Sequence, residues 1–403
     1  MLETRRSCRH GEGEECSHIR QAAAGPAASR RAALFLATFR AFGMGLALLA
    51  VGALLAAACG GGDDGGGDGG PGDSQSELTV DSPADDARRD GVLTLREAML
   101  LATGDLSTSE LDAQESDRVQ GDPGPGSRDA IVFAAPFQDK QAIVLAEPLP
   151  PLSGGNDTID GSAVDGVTID GSDRSLICIA ITSSDNTLLG LQIVNCRTGI
   201  LVDRQADENR IGASGDSEGN LISGNVVGIE VRSRGNVIQG NLIGLDATGA
   251  EALGNTFEGI WVTPQGRENI IGGSKPGEGN VISGNPLFGI SIDGAADNVF
   301  QGNLVGLDQS GSQAVTNKYG ISVQAGATGN VIGGGASGER NVISGNNTGL
   351  LIRDPGTSDN VVRGNYFGKD ISGEAEIRNT VDVWEVEDAG ENVLEENEMR
   401  EQP

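Results

Sequence analysis

Between residues 156 and 397 the apolar positions fall in short alternating runs, each bounded by glycine and asparagine. Alternation of this kind fits half-buried strands, whose successive side chains point to opposite faces. No run in this region follows a helical period. The spacing of the runs repeats. A Gly-Ile/Leu-x-Val/Ile motif begins at Gly199, Gly228, Gly259, Gly289, Gly320 and Gly349, at steps of 29, 31, 30, 31 and 29 residues. Two unit types alternate, so Asn209, Asn269, Asn330 and Asn392 stand 60, 61 and 62 residues apart. One such unit cannot bury an apolar face alone, but stacked units share a continuous core.

The architecture this implies is all-β: a right-handed parallel β-helix of roughly eight coils, from Asn156 to Asn397, behind an N-terminal capping strand and helix. The same stretch resembles the parallel β-helix repeat proteins through its Asn-x-Ile-x-Gly-Asn turns.

Those turns are written most plainly in the hexapeptide Asn-Val-Ile-Ser-Gly-Asn, at Asn280–Asn285 and again at Asn341–Asn346. Near-copies stand at Asn220–Asn225, Asn236–Asn241, Asn298–Asn303 and Asn360–Asn365. Ile282 should face the core, Gly284 should permit a sharp corner, and asparagines on successive coils should stack about 4.8 Å apart as a hydrogen-bonded ladder. A segment repeated this often reads as scaffold.

Ahead of the repeats, residues 77–155 read as a cap. Thr94 and Glu97 form a capping box, and Leu95, Ala98, Met99 and Ala102 share one helical face. The stretch from Leu93 to Met99 resembles the CSLREA motif of bacterial surface proteins, which implies a short lid helix before a β-helix. Leu93 stands where that motif has its cysteine. Residues 105–129 are polar and read as a loop, followed by strand-like runs at Ala130–Ala134 and Ala142–Ala146.

Residues 1–58 read as an export signal. Arg30, Arg31 and Arg40 precede an apolar, small-residue run over 41–58 that ends at Cys59. The "LLAAAC" ending resembles the lipobox of bacterial lipoproteins, which implies lipidation of Cys59; a single membrane-spanning helix is the alternative. "SRRAAL", from Ser29, faintly resembles a twin-arginine signal. Residues 1–29 carry two Cys-x-His pairs, Cys8 with His10 and Cys16 with His18, a spacing that zinc accepts; an over-long start of the reading frame explains them better. Residues 59–76, rich in glycine and aspartate, read as a flexible tether.

Charge then narrows the function. The chain carries −30, and −33 without residues 1–58. That field repels nucleic acid and anionic headgroups, so no nucleic-acid partner is expected. Both histidines lie before residue 59, which removes Ser–His–Asp and Cys–His chemistry from the exported part.

Repeated carboxylates are the next candidates. Asp246, Asp308 and Asp370 recur at steps of 62 residues and invite a calcium reading. Copies two coils apart lie about 9.6 Å from each other, too far to share an ion. Asp-x-Ser/Thr-Gly is also a turn sequence, so turns are expected and no cofactor or metal is assigned. Glu218, Glu278 and Glu339 read the same way.

The outward column Leu201, Glu230, Trp261, Ser291, Ser322, Leu351 places Trp261 on the solvent side. Trp261 and Tyr319 are the candidate sugar-stacking residues, with Trp384 third; a Trp covered by a neighbouring loop is the competing reading. Cys178 and Cys196 form a disulfide or remain buried thiols, structural in either case. No catalytic residue is singled out. Uniform coils and the lack of histidine favour a lipid-anchored, exported protein that binds glycans or surface partners without catalysis. A polysaccharide lyase or glycoside hydrolase, and a plain surface spacer, are the alternatives.

Overall fold

A computed structural model describes residues 19–20, 75–215 and 217–399. The proposed signal apart from Ile19 and Arg20, Cys59, the Cys-x-His pairs and nearly all of the tether lie outside them. Three long, parallel-stranded sheets wind through the chain in strict rotation, and this is the coil of a right-handed parallel β-helix. Among the described residues no helix is long and apolar enough to cross a membrane.

Face A stacks Ile177–Ile181, Thr198–Val202, Val227–Val231, Glu258–Val262, Phe288–Asp293, Tyr319–Gln324, Thr348–Ile352 and Val381–Val386. Face B runs from Gln75–Val80 through Arg128–Phe133 and Thr158–Asp160 to Val393–Glu395. Face C runs from Ala142–Val144 to Tyr366–Phe367. Faces B and C therefore begin before residue 156: the strands of the cap are the first layers of the same stack. The core is aliphatic, with Ile200, Ile229, Ile260, Ile290, Ile321 and Leu350 forming one fully buried row on face A.

The hexapeptide is resolved into parts. Each copy spells one short strand between two corners, and each flanking asparagine belongs to a different ladder. One ladder runs Asn186, Asn209, Asn236, Asn269, Asn298, Asn330, Asn360, Asn392. A second runs from Asn220 through Asn241, Asn280, Asn303, Asn341 and Asn365 to Asn397. A third runs from Asn225 through Asn255, Asn285, Asn317 and Asn346 to Asn379. In each step the Oδ1 of the asparagine on the following coil accepts from the main-chain N–H of the one before it, and usually from its side-chain amide as well. At the corner of the copy starting at Asn280, Gly284 adopts φ +72°, which glycine tolerates without strain.

The cap forms as the capping box requires. The helix spans Leu95–Thr103, Thr94 accepts from the Glu97 amide, and Glu97 Oε2 accepts from Thr94 N at 2.9 Å. Leu95, Ala98, Met99 and Ala102 are fully buried over the first coils. The two charged residues of the motif are structural too. Arg96 bonds Asp85 and the carbonyls of Glu147 and Pro148, while Glu97 pairs with Arg89, which reaches Glu115 at 2.8 Å. Residues 105–129 are more ordered than the expected loop. They hold helical turns at Thr108–Glu110 and Ala113–Ser116, and Val119–Gln120 pairs antiparallel with Gln75–Val80, covering the open edge of face B. Cys178 and Cys196 form a disulfide in the core (Cα–Cα 5.8 Å), deciding between the two expectations.

Candidate functional site

The repeated carboxylates are turns. Asp246 accepts from Thr248 Oγ1 at 2.8 Å and from the amides of Ala250 and Glu251. Asp308 and Asp370 repeat the pattern. The Thr248 hydroxyl bond and the amides hold the Asp246 carboxyl below its ordinary range. The turns do meet, however. Gln309 N donates to Gly249 O at 2.8 Å and Ile371 N to Gly311 O at 3.0 Å, so arms from alternate coils lean together. The glutamates cap their glycine loops, Glu218 accepting from Gly215 N, Glu278 from Lys275 N and Glu339 from Ala336 N. Beside the arms lies a groove of about 530 Å³, walled by Lys275, Arg340, Tyr366 and Ile371, in which the Arg340 guanidinium sits 3.8 Å over the Tyr366 ring.

Side chains that do not serve the stack gather on the outer side of face A. Strand pairing puts Leu201, Glu230, Trp261, Ser291, Ser322 and Leu351 in one column, as the sequence implied, and adds Trp384 to it. The column is less open to water than expected. Ser291, Ser322 and Leu351 are buried, whereas Trp261 and Trp384 are half-buried. The Trp261 indole N–H donates to Asp293 Oδ2 at 3.0 Å, one coil on. Asp293 Oδ1 accepts from Ser291 Oγ and Gln324 Nε2, both at 2.7 Å, and Gln324 Oε1 accepts from Arg353 Nε at 2.7 Å. The carboxylate that fixes the indole is thus itself held by two further donors.

A second outward column comes from the residue preceding each motif glycine: Thr198, Val227, Glu258, Phe288, Tyr319, Thr348. Strict alternation would turn Glu258 inward with Ile260. Gly259 breaks the alternation, because a Cβ there would point into the stack, 3.1 Å from Ile282 and 3.0 Å from the Asn285 amide. Two consecutive residues face in, and Glu258 is thrown out. Tyr319 stacks on Phe288 with ring centroids 5.2 Å apart and planes 24° apart, and Lys318 Nζ lies 5.2 Å from the Tyr319 centroid. Trp261 and Tyr319 therefore share face A, separated by Phe288 in the intervening coil.

Glu258 sits in its column between Val227 and Phe288. Burial there, reinforced by the charges of Asp293 and Glu230, pushes its carboxyl up to about 7. Glu230 is itself held by Arg232 at 2.7 Å, which also reaches Asp203. Face A thus presents a proton-holding carboxyl, a fixed carboxylate on the next coil and four aromatic rings, Trp261, Phe288, Tyr319 and Trp384. Sequence reading reached Trp261 and Tyr319 but not Glu258, Phe288 or Asp293. Among the described residues no group of three or more His, Cys, Asp or Glu is set to hold a metal.

No protein-family model and no curated protein matches the chain. Among solved structures, it is similar to the Dettilon tailspike protein, at 16% identity and a TM-score of 0.37 over 68% of this chain and 56% of that one. It is also similar to the A-module of the mannuronan C-5 epimerase AlgE6 of Azotobacter vinelandii, at 14% identity and a TM-score of 0.33 over 68% of this chain and 83% of that one. The chain thus spans little more than half the length of the tailspike.

Proposed function

We propose that the protein is an exported β-helix, lipid-anchored through Cys59, that binds polysaccharide along face A without transforming it. One observation carries the binding part: Trp261, half-buried and oriented by Asp293, lies on the same outer face as the stacked pair Phe288 and Tyr319. Fixed aromatic faces suit the apolar faces of sugar rings, and flanking amides, hydroxyls and carboxylates suit their hydroxyl groups. Anchoring rests on the lipobox-like ending and the Gly/Asp-rich tether in the sequence, and the Cys178–Cys196 disulfide is consistent with an oxidising compartment. The CSLREA-like cap helix fits the same surface setting.

Glu258 favours a second reading. A carboxyl that exchanges its proton near neutrality, one coil from the carboxylate of Asp293, is the kind of pair that general acid–base cleavage of a glycosidic bond employs. One experiment separates the two. The purified chain is presented to a glycan panel, and the bound glycan is then incubated and assayed for new reducing ends and for unsaturated products by ultraviolet absorbance. Binding that is lost in W261A, with the glycan recovered intact, supports the first reading. Product formation that is abolished by E258Q supports the second.

A further inference from the structure

The face B ladder begins with two aspartates. Strand pairing aligns Asp129 and Asp157 ahead of Asn186, so the column that is asparagine over the following eight coils is aspartate in its first two places. Both aspartates are fully buried. Asp129 is well supplied with donors, accepting from Ser76 Oγ, from Ser127 Oγ at 2.9 Å and from Gly124 N at 3.1 Å. Asp157 is not: neither carboxylate oxygen has a hydrogen-bond partner, although its main-chain N–H makes the usual ladder bond to Asn186 Oδ1 at 3.1 Å. No Lys or Arg among the described residues pairs with either carboxylate.

What faces Asp157 is also electronegative. The Ala102 carbonyl belongs to the last turn of the cap helix, the end that carries partial negative charge. Gly154 keeps open the space between them. A Cβ at that position would lie 2.8 Å from Ala102 O and 3.2 Å from Asp157 Oδ2. A buried carboxylate oriented toward a second carboxylate and a helix C-terminus, with no donor, is costly unless a cation or a proton compensates it.

We propose that Asp157, Asp129 and the Ala102 carbonyl bind one divalent cation of the calcium class, which ties the cap helix to the first coil. Two carboxylates neutralise its charge, and carboxylate plus carbonyl oxygen is the donor set calcium takes, completed by water. The site is distinct from the Asp246, Asp308 and Asp370 turns, none of which leaves a buried carboxylate oxygen without a partner.

The test is calorimetric titration of the EDTA-treated full chain with Ca²⁺, and separately with Mg²⁺, alongside thermal unfolding with and without Ca²⁺. The expected result is one Ca²⁺ per chain, a rise in Tm with Ca²⁺, and binding weakened about tenfold or more in D157N, where one ligand charge is removed. D157N places in the column the residue that the next eight coils use, so it should fold; D308N serves as the control that leaves binding unchanged. Absence of Ca²⁺ binding to the wild type overturns the proposal in favour of a retained proton, whatever the variants do. Equal Ca²⁺ binding by wild type and D157N overturns it too.

Discussion

The indole N–H of Trp261 donates to Oδ2 of Asp293 at 3.0 Å, across one step of the coil. Both stand at variable outward positions of the repeat. A stack built from identical corners leaves only its outward positions free to vary, and these two occupy adjacent columns there. The bond turns a variable surface ring into a fixed one, which lowers the ordering cost of binding a flat ligand against it.

Glu258 makes stability depend on pH. Its folded-state carboxyl titrates near 7 against an ordinary 4.5. Between those values the folded chain holds a proton that the unfolded chain has lost, so this group's contribution declines as pH rises from about 4.5 through about 7. E258Q cannot ionise and should lack that decline. Urea unfolding at pH 4.5 and pH 8 should show the variant gaining on the wild type at pH 8 only.

The ladders should be costly to interrupt in mid-stack and cheap at the end. N285A removes the acceptor of both Asn255 N–H groups, at 3.0 and 3.1 Å, in a fully buried place. Leaving buried donors unpaired should cost about 2 kcal/mol or more. N397A ends the second ladder at a half-buried position where water can substitute, and should cost less than about 1 kcal/mol. Equilibrium unfolding of the two variants checks the ordering.

Glycine matters by position. In G284A a Cβ would stand 2.7 Å from Gly244 O and 2.8 Å from Ala252 Cβ on a backbone at φ +72°, so a loss of about 2 kcal/mol is expected. Gly335 meets nothing within 4 Å, and G335A should stay within about 0.5 kcal/mol of the wild type. Thermal unfolding of the pair decides.

The scaffold could be read from the chain because it is repeated. Ile282, Gly284 and Asn285 recur at a fixed step, and each recurrence adds support for the same corner. Glu258 was hidden by the opposite circumstance. It occurs once, and period-two alternation from Ile260 assigns it to the core; only the inward turn of Gly259 reverses that. The signal was present in the odd column Thr198, Val227, Glu258, Phe288, Tyr319, Thr348, a mixture unlike the uniform aliphatic rows beside it. Asp157 escaped for a related reason: an aspartate among polar turn residues is unremarkable until its column is known to be asparagine. The leaning of the Asp246 and Asp308 arms was also beyond reach, because the coil step fixes where turns begin and not how far they bend.

The most direct test of sugar binding on face A is the fluorescence of Trp261 itself. The chain has two tryptophans, so W384F leaves Trp261 as the sole reporter. Titration with a glycan that calorimetry shows to bind should give a saturable emission change, with the indole protected from acrylamide. Calorimetric binding with Trp261 emission and quenching unmoved would place the ligand elsewhere on the coil and contradict the assignment.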